Sequence, residues 1–81
     1  MRRSKGVFLP PVRAGQRRRG ELYRELRRAV LDGVLSPGDR LPSTRQAAAD
    51  YGVSRGLMEE VFAQLADEGL FDRAVGRGTY V

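Results

Sequence analysis

The sequence has no cysteine, no histidine and no tryptophan, and only one lysine. Without cysteine there are neither disulfides nor thiolate metal ligands, which fits a reducing cytosol. Without histidine the commonest general base and metal ligand is gone. Carboxylates, one lysine, arginines and hydroxyls are a poor catalytic kit, so no enzyme, no catalytic residue and no metal site is expected. Long apolar runs are missing too. Nothing approaches the ~18 to 20 residues that span a bilayer. The stretch Val7 to Val12 is short and broken by Pro10 and Pro11, so it is no signal-peptide core and no membrane partner is expected. What is present is a chain of 81 residues, enough for one domain and one compact core.

The charge is unevenly placed. The net +5 comes from the first 19 residues, which hold seven basic groups (Arg2, Arg3, Lys5, Arg13, Arg17, Arg18, Arg19) and no acid. Residues 20–81 hold eight basic against ten acidic groups, a formal −2. The part that folds is therefore no basic patch by composition, and any anionic partner must be met by a few placed arginines. Residues 1–19, with two prolines, two glycines and no sustained periodicity, read as a flexible basic arm. Such an arm is either a solvated leader or linker, or a phosphate clamp made by Arg17, Arg18 and Arg19.

From Glu21 to Asp32 the apolar residues Leu22, Leu26, Ala29 and Val30 recur at helical spacing, with Arg24, Arg27 and Arg28 mostly opposite. Gly33 is placed to stop that helix. Ser36-Pro37-Gly38-Asp39 is a turn, and Arg40-Leu41-Pro42 is extended, because a residue before proline avoids the helical region. Ser43 caps a second helix, with Gln46 three residues on completing a capping box. Ala47, Ala48 and Ala49 give that helix high propensity and little bulk, which lets another helix cross close by. Gly52 supplies a left-handed turn, Val53 plugs the turn into the core and Ser54 caps a third helix.

The third helix, 54–68, carries Met58, Val61, Phe62 and Leu65 on one stripe about 100° wide. Gly56, Glu59, Glu60 and Ala63 face away from it. Gly69 ends the helix. Asp72 to Val75 and Thr79 to Val81 read as two short strands around Gly76-Arg77-Gly78, a hairpin. Two helices joined by so short a turn are the pattern of a helix-turn-helix, whose second helix enters the major groove of double-stranded DNA. The hairpin behind it would be a wing, with its tip at 76–78. The expected class is mainly α with a small β-hairpin wing: a winged helix-turn-helix of three helices plus a two-stranded wing over 20–81. Each apolar stripe is core, so function must come from what faces outward.

Leu22-Tyr23-Arg24-Glu25-Leu26, Pro37 to Arg45 (PGDRLPSTR), Gly52-Val53-Ser54-Arg55, Gln64 to Gly69 (QLADEG) and Gly78-Thr79-Tyr80-Val81 run in one order and spacing from about Gly20 to Val81. Together they resemble the winged helix-turn-helix of the GntR family of bacterial transcription regulators. The LYREL, LPSTR and GTYV pieces look most like the MocR-type branch, whose members carry a C-terminal aminotransferase-like domain that binds pyridoxal phosphate. Nothing of that domain is in these 81 residues, so that cofactor is implied only for a longer chain, and homodimerisation is implied through that same domain. The resemblance puts DNA contacts at Arg45, at Ser54, Arg55, Gly56, Leu57 and Glu59, and at the wing tip in Gly76 and Arg77.

Elementary chemistry agrees for several of these. Ser54 and the first free amides of the third helix can hold a phosphate at the positive helix end. Arg55 can reach guanine O6 and N7 with a bidentate fork, and Arg45 projects toward the same groove as a phosphate contact or base reader. Arg77 on a glycine-flanked tip is long enough to enter the minor groove. The alternative for each arginine is a solvated surface charge. The sequence also departs from the family pattern. Gly56 stands for a polar helix former, Leu57 for a threonine and Glu59 for a basic residue of some members. A carboxylate facing DNA repels phosphate unless it accepts from cytosine N4. In the wing, Ala74 replaces an arginine and Arg73 precedes it, which turns the charge to the opposite strand face.

Two other functions fit the composition: a winged-helix domain that binds protein, favoured by the acidic surplus and Glu59, and non-specific nucleic-acid binding driven by the arm. The arm makes its own prediction. If Arg17, Arg18 and Arg19 clamp the backbone, deleting residues 1–19 flattens the salt dependence of DNA affinity by about one unit of slope per lost phosphate contact. An unchanged slope in salt-titrated binding would retire the clamp.

Overall fold

The computed structural model describes residues 18–74 and 78–81. Its elements run α1 (Arg19–Leu31), β1 (Arg40–Leu41), α2 (Thr44–Tyr51), α3 (Arg55–Asp67), β2 (Asp72–Ala74) and β3 (Gly78–Tyr80). Both α1 and α2 pack on α3, and the three strands form one antiparallel sheet in the order β1-β3-β2. This is the expected winged helix-turn-helix, with one strand more than the hairpin alone.

Helix α1 begins at Arg19, two residues before the expected Glu21. The Arg18 carbonyl accepts from Leu22 N at 2.9 Å, while no side chain caps the end. Arg18 is thus the N-cap and Arg19 the first helical residue. The remainder of the expected arm, including Arg17 of the proposed clamp, lies outside the described residues. Arg19 instead reaches Glu60 on α3 at 2.8 Å. Both groups are well over half exposed, so solvent screening limits the pair to less than about 1 kcal/mol. Leu22, Leu26 and Ala29 are buried as the stripe requires, while Val30, its fourth residue, is only partly buried against the core. On the flank, the Tyr23 hydroxyl donates to the Glu68 carboxylate at 2.6–2.7 Å, which ties α1 to the end of α3. That hydrogen bond is the main reason the hydroxyl titrates above its ordinary range.

Helix α2 is capped by Ser43, whose Oγ accepts from Gln46 N at 3.0 Å. The expected capping box is not reciprocated: the Gln46 side chain donates to Asp50 Oδ1 at 2.9 Å, one turn further on. The helix stops at Gly52, which sits at φ 70° and ψ 37°. A side chain there would meet a steric cost, and this left-handed residue lets Val53 N return to the Ala48 carbonyl at 3.0 Å. The turn is short because of that bond, and Val53 then packs against the core.

The core gathers Leu22, Leu26, Ala29, Leu35, Leu41, Ala47, Ala48, Tyr51, Met58, Val61, Phe62, Leu65 and Phe71. All four residues of the α3 stripe have no exposed surface. Phe62 meets Phe71 edge to face with centroids 5.3 Å apart, a favoured aromatic geometry. Leu41 in β1 and its register partner Thr79 in β3 are both buried, so the sheet closes the open side of the core. The chain end is pinned to the early turn: Gly38 N donates to the Val81 carbonyl at 3.0 Å, and Val81 N to the Asp39 carbonyl at 2.9 Å. Strand β3 runs from Gly78 to Tyr80, one residue earlier at each end than expected. Val75 and the wing-tip residues Gly76 and Arg77 lie outside the described residues.

Phe62 is the centre of this packing. Phe62→Ala is expected to destabilise the domain by about 3–5 kcal/mol, measured by chemical denaturation. A loss under about 1 kcal/mol would mean that the three helices do not share one core.

Candidate nucleic-acid interface

The head of α3 is built by its cap. Ser54 is extended, and its Oγ accepts from Leu57 N at 3.0 Å. That bond uses an acceptor pair of the hydroxyl and leaves its proton free to donate outward. The amides of Arg55 and Gly56 are the first two of the helix and have no acceptor within it. Ser54, Arg55 and Gly56 are all exposed. A hydroxyl, two free amides and a positive helix end converge there, which is the chemistry of a phosphate site.

Gly56 stands in open space. A Cβ there would meet no atom within 4 Å, and the residue has no positive φ. Neither packing nor backbone conformation asks for glycine, so its effect is to leave the helix surface low. Leu57 is half-buried and packs against the core.

Arg45 is exposed on α2 beside the buried Thr44. Thr44 Oγ1 donates to Glu59 Oε2 at 2.6 Å, so the start of α2 abuts α3 one turn beyond Arg55. Arg45 therefore follows directly on the residue that touches α3, and Arg55 lies one turn before the residue touched. Among the described residues, neither is in an ion pair, whereas Arg19, Arg27 and Arg73 are. Arg55 still acts on Glu59 through its field.

Glu59 is tied down on both oxygens. Besides the Thr44 bond, its Oε1 accepts from Arg73 Nη2 of β2 at 3.0 Å. The Thr44 hydrogen bond first, and the Arg73 bond second, hold its carboxyl below the usual glutamate value. Arg73 was legible as a charge turned to the opposite strand face. That this face looks at Glu59 depends on the hairpin's return and no local pattern signals it. Arg40 is a second residue the motifs did not single out. Its guanidinium lies 3.5–4.0 Å from where a Gly78 side chain would start, so a cation covers the foot of the wing. The wing-tip candidates Gly76 and Arg77 are outside the described residues.

The sequence profile of "Bacterial regulatory proteins, gntR family" matches residues 18–81. The chain belongs to the gntR family of bacterial regulatory proteins. It is 44% identical over 61 residues to the HTH-type pyridoxine biosynthesis transcriptional regulator PdxR of Corynebacterium glutamicum, a match covering 75% of this chain and 14% of that protein. It is 41% identical over 61 residues to the probable rhizopine catabolism regulatory protein MocR of Rhizobium meliloti, covering 75% of this chain and 12% of that one. The chain thus spans only a small share of the length of these two relatives. Among solved structures, AraR(DBD) in complex with operator ORX1 superposes with a TM-score of 0.72 at 21% identity, covering 100% of this chain and 99% of that one. At that identity the likeness speaks for the fold.

The α3 head separates capping from surface shape. Ser54→Ala is expected to cost about 1 kcal/mol, and Gly56→Ala to raise stability by up to about 1 kcal/mol. Both are read as midpoints in thermal or denaturant unfolding. A destabilising Gly56→Ala would show that the open space beside it is not open in solution.

Proposed function

We propose that this chain is the sequence-specific double-stranded DNA-binding module of a bacterial transcription regulator. Helix α3, with its caps at 54–68, lies in the major groove, and the wing tip at 76–78 lies near the minor groove. The observation that carries this reading is the head of α3: an exposed Ser54-Arg55-Gly56 with free amides, where neither Arg45 nor Arg55 is in an ion pair among the described residues. Ser54 and the amides hold a backbone phosphate, and Arg55 reads guanine from the groove floor. Arg45 contacts phosphate or a base edge beside it, and Arg77 reaches toward the minor groove. Gly56 lets the backbone approach closely, and Leu57 supports the helix front from within. Family membership and the likeness to regulators support the same assignment.

The resemblance to PdxR and MocR supports a wider reading. Beyond these 81 residues, a regulator of that branch would continue into an aminotransferase-like domain holding pyridoxal phosphate. Pairing through that domain would set two α3 helices on two half-sites. The 81 residues contribute no group to that cofactor.

Selection from a random duplex pool, followed by competition binding, tests the proposal. The domain is expected to prefer one duplex over random sequence, and Arg55→Ala to shrink that preference by about 1–3 kcal/mol at the contacted base pair. Binding that ignores sequence and survives Arg55→Ala would assign the affinity to the basic arm. No DNA affinity at moderate salt would leave a protein-binding winged helix.

A further inference from the structure

A carboxylate one turn into a helix that enters a phosphate-lined groove should weaken binding. Glu59 occupies that place, yet its two oxygens are engaged from within the protein. Thr44, the first residue of α2, holds Oε2 at 2.6 Å, and Arg73 of β2 holds Oε1 at 3.0 Å. Thr44 is buried, so its hydroxyl has a fixed seat. Arg73 stands opposite Thr79 in the β2–β3 pairing, and Thr79 is buried too. One side chain therefore joins both helices of the helix-turn-helix to the first strand of the wing. The ion pair is itself partly exposed, 35% on Arg73 and 41% on Glu59, so solvent screens most of its contribution to stability. Its consequence is geometric: the Phe62–Phe71 contact holds the foot of β2 against α3, and the bridge ties the strand itself to α3 further along.

We propose that Thr44, Glu59 and Arg73 form a positioning bridge that sets the wing's angle to α3, with Glu59 and Arg73 engaged by each other instead of by DNA. This rests on the DNA-binding reading of the preceding subsection. Glu59 is then a positioning residue and no reader of cytosine. Arg73 adds nothing to the count of neutralised phosphates while the bridge holds. Removing the carboxylate releases a cation toward the DNA backbone and loosens the wing at the same time. Affinity for random sequence and preference for the chosen sequence then move in opposite directions, which simple charge repulsion does not produce.

The test uses the 81-residue chain, its selected duplex and a random duplex, over a series of salt concentrations. Glu59→Ala is expected to bind the random duplex more tightly, with a salt slope about one unit steeper, while its preference for the selected duplex falls about tenfold. Arg73→Ala is expected to lose a similar share of preference with the random-duplex slope unchanged. The double variant should be no worse than either single one, because both break the same link, and it should lose the extra unit of slope. Thr44→Ser, which keeps the hydroxyl, should retain the preference. A flatter slope in Arg73→Ala alone would overturn the proposal by making Arg73 a phosphate contact. A loss confined to one cytosine-bearing pair in Glu59→Ala, with Arg73→Ala harmless, would make Glu59 a base reader. Equal tightening on both duplexes would make it a plain surface charge. Should the wild-type chain prefer no duplex at all, the DNA reading itself fails. The bridge is then judged in the free domain, where the Glu59 carboxyl, followed by NMR, should titrate higher in Arg73→Ala and in Thr44→Val than in wild type. No change there would remove the bridge as well.

Discussion

The close crossing of α2 on α3 is the constraint from which the rest of the domain follows. It needs small side chains where the helices meet, and Ala47 and Ala48 supply them, both buried. It needs a turn too short for an ordinary helix ending, and the left-handed Gly52 with the Val53-to-Ala48 bond supplies that. Once α2 is fixed, Met58, Val61, Phe62 and Leu65 have a wall to pack on, and α1 covers their other side. The outward surface of α3 is then determined by what remains of its circumference. Glycine to larger residues at position 52, or bulk at 47 and 48, would disturb the outward face without touching it.

Electrostatics are settled by placement, not by the net charge. Residues 20–81 have an acidic surplus, which looks unfavourable for a polyanion partner. Several of those acids are turned on the protein itself: Glu60 on Arg19, Glu68 on Tyr23 and Arg27, Glu59 on Thr44 and Arg73. Carboxylates so engaged present less unbalanced field to the outside, while Arg45 and Arg55 keep theirs. The sum over the domain is therefore a poor guide to the potential at the head of α3.

The helices were legible because burial imposes a period on them. Leu22, Leu26 and Ala29 in α1 and the four stripe residues of α3 mark the buried faces at helical spacing, and the structure buries those seven. Apolar residues outside helices carry no period, which is why Leu35, Leu41 and Phe71 did not stand out although all three are core. Strand β1 has two residues, too few for alternation, and its partner β3 lies some forty residues away, so only extension could be expected of it. The start of α1 was missed because no side chain caps it, leaving no cap signal at Arg18. Gln46 shows the limit of a motif: the spacing fits a capping box, but Asp50 offers its amide another acceptor. At the interface, the cap of α3 and its exposed Arg55 could be read locally. The tie between Glu59 and Arg73 could not, since it exists only once the hairpin has returned against α3.

Two residues at the head of α3 leave little side chain on its surface: Gly56 has none, and Leu57 is half-buried against the core. The front of the helix is then mostly backbone, framed by one serine hydroxyl and one long cation. Amides and a helix end attract phosphate whatever the sequence, because every nucleotide carries the same phosphate. Discrimination must come from side chains that reach base edges. On the proposed function, with Gly56 bare and the Glu59 carboxylate engaged elsewhere, that task would fall on Arg55, assisted by Arg45. A helix head of this design would make phosphate contact broad and base reading narrow. The wing's position would then have more influence on which duplex is chosen than behind a helix crowded with readers.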